Sequence, residues 1–359
     1  MSNPTKVDFI IVGQGLAGSA VALQLLKRRR SILVIDRISP NSPSRIAVGL
    51  FNPITGRHSI KTWFADQLFP YFHDFYRNAE IITGEKFFYP VPLYKPFASI
   101  EQQNEWMSKS ADSAYSGYIQ SINMQPTIDL VKDPFGGMML KQSGNLDTIA
   151  YLKAVRDLVR KQGIVLEEEF DESLLKPGDQ EIRYKDYRSE HIIFCQGLQA
   201  VQWFQWVPIL PLKGETIRIR TDHSGNIIIN RGVYAVPVNQ NGTWRVGATY
   251  SWTDKTSSIT EEARTELSSK LDELVTFQYE IVDQDWGIRP TTHDRRPILG
   301  THPQHRRMHI LNGLGPKGVS IAPYFSDILL NYIENANPLN KQVNLERYKS
   351  LYWSPSTRL

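Results

Sequence analysis

Three glycines and one acid near the N-terminus have the types and spacing of a site that binds phosphates and a ribose. Gly13, Gly15 and Gly18 lie between two apolar runs, and Asp36 ends the second run. Such glycines allow a tight turn, close approach of the backbone to a pyrophosphate and close packing of a helix, whose N-terminal N–H groups attract the phosphates. An acid at the position of Asp36 binds the ribose and repels a 2′-phosphate. The stretch predicts a strand, turn, helix and strand that bind NAD or FAD rather than NADP; a glycine-rich turn without a ligand is the alternative.

A second glycine-rich loop, NGLGPKGVSIAP, stands near the C-terminus and precedes an apolar helix. The N–H groups and positive dipole at the start of that helix would suit the N1–C2=O edge of a flavin, where negative charge gathers on reduction. This loop therefore favours FAD over NAD, with an ordinary strand-to-helix turn as the alternative. The residues expected to contribute are Gly313, Gly315, Pro316, Lys317, Gly318 and Val319.

Composition narrows the class of protein. The chain has 359 residues, 41% of them hydrophobic and 22% charged, which is enough for two domains. Cys195 is the only cysteine, so an intrachain disulfide and a CxxC pair are excluded and a reducing cytoplasm is favoured. The eight histidines form no metal-binding motif, and the formal charge of +4 is too mild to indicate nucleic acid. We expect no metal and find no signal peptide or membrane-spanning stretch.

The order of elements suggests a nucleotide-binding domain interrupted by another domain. The βαβ pattern stops after Asp36, and residues 41–62 are expected to form a functional loop. An amphipathic helix over residues 146–162 and the buried strand of HIIFCQG return to the first sheet. Short alternating segments over residues 209–250 indicate antiparallel strands, and a strand, glycine loop and helix recur at the C-terminus.

The predicted fold is therefore α/β (α+β). A discontinuous Rossmann-type FAD-binding domain would comprise residues 1–85, 141–205 and 285–359. An inserted antiparallel-sheet substrate domain would comprise residues 86–140 and 206–284.

Several segments, in this order, resemble the D-amino-acid oxidase and glycine oxidase family of FAD enzymes. They are IIVGQGLAGSAVA with Asp36, SRIAVGL, HIIFCQG, YAVPV followed by VGATY, GIRPTTHDRRPILG, and GLGPKGVSIAP. The resemblance covers nearly the whole chain. The C-terminal segments are most similar to the oxidase domains of bacterial tRNA wobble-uridine modification proteins, which remove a carboxymethyl group from an amine on tRNA.

The resemblance implies roles for several polar side chains. Arg289 matches an arginine that holds the substrate carboxylate, and its planar fork fits two carboxylate oxygens. Tyr234, and as a second candidate Tyr250, would line the substrate pocket. Lys317 would contact a substrate carboxylate or the reduced flavin, and Arg245 ranks lower. A structural ion pair for the arginine, core positions for the tyrosines and a solvated lysine are the alternatives.

The resemblance also implies which residues contact the cofactor. SRIAVGL would pass the flavin ring, and the strand that ends at Gly197 would lie near the adenosine. Besides the C-terminal loop, the expected FAD contacts are Gly13, Gly15, Leu16, Ala17, Gly18, Asp36, Arg37, Ser44, Arg45, Ala47, Gly49, Leu50, Cys195 and Gly197. FAD is expected to be non-covalent, because Cys195 ends a strand and lies outside the pocket elements.

We interpret the chain as an FAD-dependent oxidoreductase that oxidises the C–N bond of a small amino acid or N-substituted glycine by hydride transfer to flavin N5. A tRNA-modifying flavoenzyme and a flavin-binding subunit without turnover are alternatives, and an NAD dehydrogenase is a weaker one. The expected partner is a small amine or amino acid; tRNA is less favoured, and no membrane partner is expected.

Overall fold

The structure is a computed structural model, and it describes residues 4–56, 59–199, 202–238 and 241–353. In chain order the strands are β1 (Thr5–Val12), β2 (Ile32–Ile35), β3 (Leu50–Phe51), β4 (Ile54–Thr55), β5 (Ile60–Lys61), β6 (Phe88–Pro90), β7 (Leu93–Pro96), β8 (Ile119–Asn123), β9 (Gly137–Leu140), β10 (Gly144–Leu146), β11 (Ile164–Leu166), β12 (Leu175–Pro177), β13 (Ile182–Tyr184), β14 (Tyr187–Phe194), β15 (Leu210–Arg220), β16 (Ile228–Arg231), β17 (Val233–Pro237), β18 (Thr243–Gly247), β19 (Glu280–Thr291), β20 (Ile298–Thr301) and β21 (Met308–Asn312). The α-helices are α1 (Leu16–Lys27), α2 (Pro43–Ile46), α3 (Ala65–Thr83), α4 (Ile100–Lys109), α5 (Ser113–Ser116), α6 (Thr148–Gln162), α7 (Glu261–Asp272), α8 (Gly318–Asn335) and α9 (Lys349–Tyr352).

The first sheet has a parallel centre. β11, β2, β1, β14 and β21 lie side by side and run in the same direction, while β20 and the pair β13–β12 extend the sheet in antiparallel fashion. The central strands are buried, which explains their unbroken apolar runs. Since the carboxyl ends of β1, β2 and β14 share one edge, Gly13, Asp36 and Cys195 lie close together there.

The first and last helices of this sheet are joined by ion pairs. Arg28, at the C-terminal end of α1, binds the Asp327 carboxylate of α8 at 2.6 Å and also pairs with Glu334. Arg30 reaches Glu334 as well, with its Nε 2.7 Å from Oε1. These basic residues therefore fix the end of α1 to α8.

The second sheet has the order β19-β15-β18-β17-β16-β7-β9-β8, and its neighbours are antiparallel except for β7 and β16. Alternate side chains face opposite ways along each strand. One face packs on α7 through Trp244 and Val246, and the other, with Tyr234, faces the first sheet. The pairing of β15 with β19 continues through Pro290, which is tolerated because β19 is an edge strand.

The predicted α/β architecture is confirmed. The helix expected over residues 146–162 is α6, and residues 41–62, expected to be a loop, contain α2, β3 and the hairpin β4–β5. β19 crosses residue 285, the predicted domain boundary, so Arg289 lies on the second sheet. Within the part of the chain that the structure describes, none of the helices has the length and apolar character needed to span a bilayer.

Candidate cofactor and substrate pocket

A pocket of about 1810 Å³ lies between the two sheets. The loops after β1, β2 and β14 line one end, and β7, β16, β17 and β19 line the other. This volume exceeds that of a pocket for one small ligand, which is about 300–1,000 Å³. It therefore has room for a dinucleotide and a substrate together.

The turn from β1 into α1 has the geometry of a pyrophosphate cradle. Gly13 has φ +90, and a Cβ on Gly15 would lie 2.8 Å from Ser44 Oγ. The Leu16 N–H donates to the same Oγ over 3.1 Å, and the N-cap residue Gly15 has no side chain with which to cap the other N–H groups of the first turn. A Cβ on Gly18 would collide with the Gly13 carbonyl, so Gly18 serves helix packing. The backbone donors fit an anionic ligand at this helix N-terminus.

A buried arginine supports the predicted ribose-binding acid. Asp36 accepts a hydrogen bond from the Gln14 N–H over 2.8 Å and pairs with the Arg156 guanidinium, which also donates to Gln14 Oε1 over 2.8 Å. Arg156 is a site residue that sequence reasoning missed, although a signal exists: it lies on the apolar face of α6 beside Val155 and Val159. Burial, and then the nearby Arg156 charge, lower the pKa of Arg45, which does not line the pocket.

The segment SRIAVGL is anchored by α6 and β10. Thr148 Oγ1 donates to the Ala47 carbonyl over 3.1 Å, and the Leu146 N–H donates to the Gly49 carbonyl over 3.0 Å. Gly49 has φ +76, and a Cβ there would collide with the Leu146 backbone. Only glycine fits this contact, which holds Ala47, Gly49 and Leu50 along the pocket wall.

Lys317 lies directly before α8 and reaches the hairpin β4–β5. Its ammonium donates to Thr55 Oγ1 over 3.1 Å and to Thr62 Oγ1 over 3.3 Å. Burial lowers the pKa of Lys317 to about 8, and the charges of Arg296 and Arg295 contribute. No acid among the described residues pairs with it. The pocket thus presents a cation beside an uncapped helix N-terminus, where a ligand's negative charge would be stabilised.

Arg289 on β19 extends over the neighbouring strand. A Cβ on Gly214 would collide with its guanidinium, and its Cζ lies 5.1 Å from the centroid of the Tyr250 ring. Its Nη1 makes one long contact, 3.5 Å, to the Thr249 carbonyl. No described carboxylate forms an ion pair with Arg289, so its paired N–H groups can bind a ligand carboxylate.

The two tyrosines differ in burial. Tyr234 on β17 is partly buried and lies over Gly247, where a Cβ would be 2.8 Å from its Oη. Burial raises the pKa of Tyr234 to about 12, which keeps the phenol neutral and able to donate. Tyr250 is 60% exposed at the pocket mouth. Arg245, which ranked lower, does not line the pocket; its Nη2 lies 3.0 Å from Asp285 Oδ2.

Most residues predicted to form the site line this pocket. The predicted residues found in the lining are Gly13, Gly15, Leu16, Ala17, Asp36, Arg37, Ser44, Ala47, Gly49, Leu50, Cys195, Gly197, Tyr234, Tyr250, Arg289, Gly315, Pro316, Lys317, Gly318 and Val319. Gly18, Arg45 and Gly313 are not in the lining. A Cβ on Gly313 would lie 2.9 Å from Thr292 Cγ2, so this glycine serves loop packing.

Cys195 lies in the pocket lining, which corrects the expectation that it stands outside the pocket elements. A Cβ on Gly13 would be 2.8 Å from the Cys195 carbonyl oxygen, so the cysteine belongs to the phosphate-binding end. Burial raises the pKa of its thiol, which disfavours the nucleophilic thiolate. Non-covalent FAD binding remains a prediction, now resting on the neutral thiol.

The pocket is strongly cationic. Its described lining contains eight lysine and arginine residues but only two aspartates and no glutamate. Lys95 and Arg296 are cations that the sequence analysis did not single out, and the Arg296 guanidinium lies 4.1 Å from the centroid of the Trp63 ring. Arg37 and Lys270 pair with Glu169 and Glu266 outside the lining. The other six cations still outnumber the two aspartates, so positive charge is available for an anion besides the FAD diphosphate.

Comparison with known proteins assigns the chain to a family. The sequence profile of the FAD dependent oxidoreductase (DAO) family matches residues 8–331, and the chain belongs to this family. FAD is therefore its cofactor. The glycine turn before α1, Asp36 and the N-terminus of α8 fit the diphosphate, the ribose and the flavin of FAD, respectively.

Three relatives of known name share less than a quarter of their aligned residues with this chain. The chain is 22% identical to the bifunctional protein ThiO/ThiG of Trichormus variabilis, over 95% of this chain and 55% of that protein. It is 23% identical to the tRNA 5-methylaminomethyl-2-thiouridine biosynthesis bifunctional protein MnmC of Marinobacter nauticus, over 90% of this chain and 55% of that protein. The chain thus spans about half the length of these relatives. The crystal structure of glycine oxidase from Geobacillus kaustophilus aligns with a TM-score of 0.76 and 19% identity, over 93% of this chain and 96% of that chain, which shows a shared fold.

Proposed function

We propose that this FAD-dependent oxidoreductase oxidises the C–N bond of a small amino acid or an N-substituted glycine. The observation that carries the proposal is Arg289, an arginine without a described acidic partner in the same pocket as the dinucleotide cradle. An arginine fork is suited to a carboxylate, which every amino acid presents. The structural likeness to a glycine oxidase supports this substrate class.

The residues of the chain bind and orient the substrate in this mechanism. Arg289 holds the carboxylate and thereby fixes the position of the neighbouring C–H bond. Tyr234 is neutral at neutral pH, and burial raises its pKa further, to about 12, so that it can donate a hydrogen bond without adding a negative charge. The amine reacts in its unprotonated form, since its lone pair forms the C=N bond as the hydride leaves. FAD, when bound, supplies the two-electron acceptor for that hydride.

Hydrolysis completes the reaction without a further side-chain acid or base. Water adds to the imine carbon, and the C–N bond breaks to give an amine or ammonia and a carbonyl compound. Lys317, held by Thr55 and Thr62, places positive charge where an anionic ligand would gain from it.

Anaerobic mixing of the purified holoenzyme with a panel of amines tests the proposal. Glycine, sarcosine and longer N-substituted glycines should bleach the flavin absorbance, and amines without a carboxylate should do so far more slowly. If amines with and without a carboxylate bleach the flavin at the same rate, the proposal is contradicted. A protein that none of these amines reduces would fit the alternative of a flavin-binding subunit without turnover.

A tRNA substrate is the second candidate, and the cationic pocket together with the likeness to MnmC favours it. Because such binding neutralises several phosphates, the affinity for tRNA should fall steeply with salt. Affinity for small amino acids should then be poor. Rapid oxidation of glycine or sarcosine without salt-dependent binding of tRNA would eliminate this candidate.

A further inference from the structure

Lys95 is a buried cation that the proposed reaction does not use. It lies on β7, is only 7% exposed and lines the pocket. Within the described residues, no acid forms an ion pair with Lys95 and no side chain accepts a hydrogen bond from it. The pocket acids are engaged elsewhere, since Asp36 pairs with Arg156 and Asp294 lies 3.5 Å from Arg347.

The strand register places Lys95 on the same sheet face as the substrate residues. β7 runs parallel to β16 with Tyr94 opposite Ile229, so Lys95 comes beside Asn230. Asn230 pairs in turn with Tyr234 on β17. Residues level across neighbouring strands share a face, and Lys95, Asn230 and Tyr234 all line the pocket. The Lys95 end is therefore continuous with the substrate end.

The distance between the two cations sets the size of a ligand that contacts both. β7 and β19 are separated by five strand spacings in the sheet order, or about 24 Å for a flat sheet with strands about 4.8 Å apart. The Arg289 guanidinium already lies over β15, and the lysine side chain is also long. The charges are thus roughly 12–20 Å apart by this spacing, and glycine or sarcosine cannot reach from one to the other.

We propose that the Lys95 end of the pocket binds a second anionic group of the substrate, which is an elongated amine with a carboxylate at Arg289 and a carboxylate or phosphate at its far end. This inference rests on the proposed function. A buried ammonium without a partner is costly, and an anion with good geometry offsets that cost. Burial lowers the pKa of Lys95 to about 8, so most of its population is still charged at neutral pH. The excess of cations in the lining points to the same chemistry.

Calorimetric titration of the holoenzyme with straight-chain carboxylates tests the subsite without requiring turnover. An α,ω-dicarboxylate long enough to span the two cations should bind roughly 10- to 100-fold more tightly than the monocarboxylate of equal length. Short dicarboxylates should show no such advantage. In Lys95→Met the advantage should vanish, whereas Lys141→Met, which removes an exposed lysine outside the pocket, should keep it. Equal affinities at every length, or an advantage that survives in Lys95→Met, would overturn the inference.

Turnover then distinguishes the kind of anion and separates the two proposals. N-alkylglycines that end in a carboxylate, a phosphonate or a methyl group should be compared by the rate of flavin bleaching. Whichever of the two charged compounds reacts faster identifies the kind of anion that the subsite prefers. A methyl-terminated compound that reacts as fast as both charged ones would overturn the elongated dianionic substrate while leaving amine oxidation intact. If no amine bleaches the flavin but the dicarboxylate advantage depends on Lys95, the anion subsite stands and the proposed function fails.

Discussion

The guanidinium of Arg289 lies over Gly214 on the adjacent strand, in space that any side chain would fill. A Gly214→Ala change should therefore displace Arg289 and lower kcat/KM for a carboxylate-bearing amine by roughly 10-fold or more, since misplacement of about 1 Å can cost 100-fold. Flavin content should stay normal. Gly117→Ala is the matched control, because no atom of the described residues lies within 4 Å of a Cβ there. Unchanged kinetics in Gly214→Ala would show that the position of Arg289 is unimportant.

Replacement of Arg289 itself tests the two-point contact with the substrate. Arg289→Lys keeps the charge but loses the planar fork, so kcat/KM should fall by roughly 100-fold, about 3 kcal/mol for a charge-assisted pair. Amines without a carboxylate should be far less affected. Arg218→Lys, at a half-buried position on the neighbouring strand and outside the pocket lining, serves as the control. If the Arg289 variant loses flavin or fails to fold while its remaining holoenzyme turns over normally, the arginine has a structural role.

A bulky residue at the phosphate-binding turn should abolish cofactor binding. In Gly15→Val the side chain would occupy the space beside Ser44 Oγ and the path of the pyrophosphate, so the protein should purify colourless. The wild type should be yellow and release all its FAD on acid precipitation, because the Cys195 thiol is neutral and buried. A fully flavinylated Gly15→Val protein, or flavin that stays on the acid precipitate, would contradict these expectations.

The lowered pKa of Lys317 predicts how stability depends on pH. Between about pH 8 and the ordinary lysine value of 10.5, the unfolded chain keeps a proton that the folded chain has lost. The free energy of unfolding should therefore rise with pH across this window. In flavin-free protein, Lys317→Met should raise Tm near pH 7 and reduce the slope of Tm against pH, while Lys141→Met should leave both unchanged. The lowered pKa of Lys95 also makes stability rise with pH, so part of the slope of Tm against pH should remain in Lys317→Met. A steeper slope in Lys317→Met would refute the assignment.

Loss of Arg156 should weaken the ribose end of the cofactor site. Arg156→Met preserves volume but frees Asp36 and Gln14, so the affinity for FAD should fall by roughly 10-fold, as for one hydrogen bond to a charged group. Titration of flavin-free protein with FAD measures this affinity. Arg160→Met, on the exposed side of the same helix, should bind FAD normally. Equal affinities in both variants would mean that Asp36 is positioned by the backbone alone.

The parts of the site that depend on local spacing could be predicted from the sequence. The glycine turn and Asp36 are close because a strand, helix and strand must return to one sheet edge. The C-terminal glycine loop was predicted from its position directly before an apolar helix, and the role of Arg289 was predicted from the family resemblance. Arg156 could also have been predicted, because it is a charged residue on the buried face of the amphipathic helix α6.

Other parts depend on contacts between distant segments and could not be predicted. Lys317 is held by Thr55, 262 residues away in the chain, and no periodicity encodes that contact. The placement of Lys95 beside Asn230 requires the parallel pairing of β7 and β16. The pattern of antiparallel strands gave no indication of this pairing, because parallel neighbours need long connections that a short sequence window cannot reveal.

The ion pairs that join α1 to α8 have a consequence for the order in which this protein acquires its cofactor. Arg28 and Glu334 are separated by 306 residues, and the loop before α8 forms one wall of the pocket. The ribosome makes the glycine turn long before it makes the opposite wall. The nascent chain therefore has only half of the flavin cradle until α8 has emerged, so we expect FAD to bind after α8 has been made. Protein made in cells that lack riboflavin should accordingly be colourless and become yellow when FAD is added.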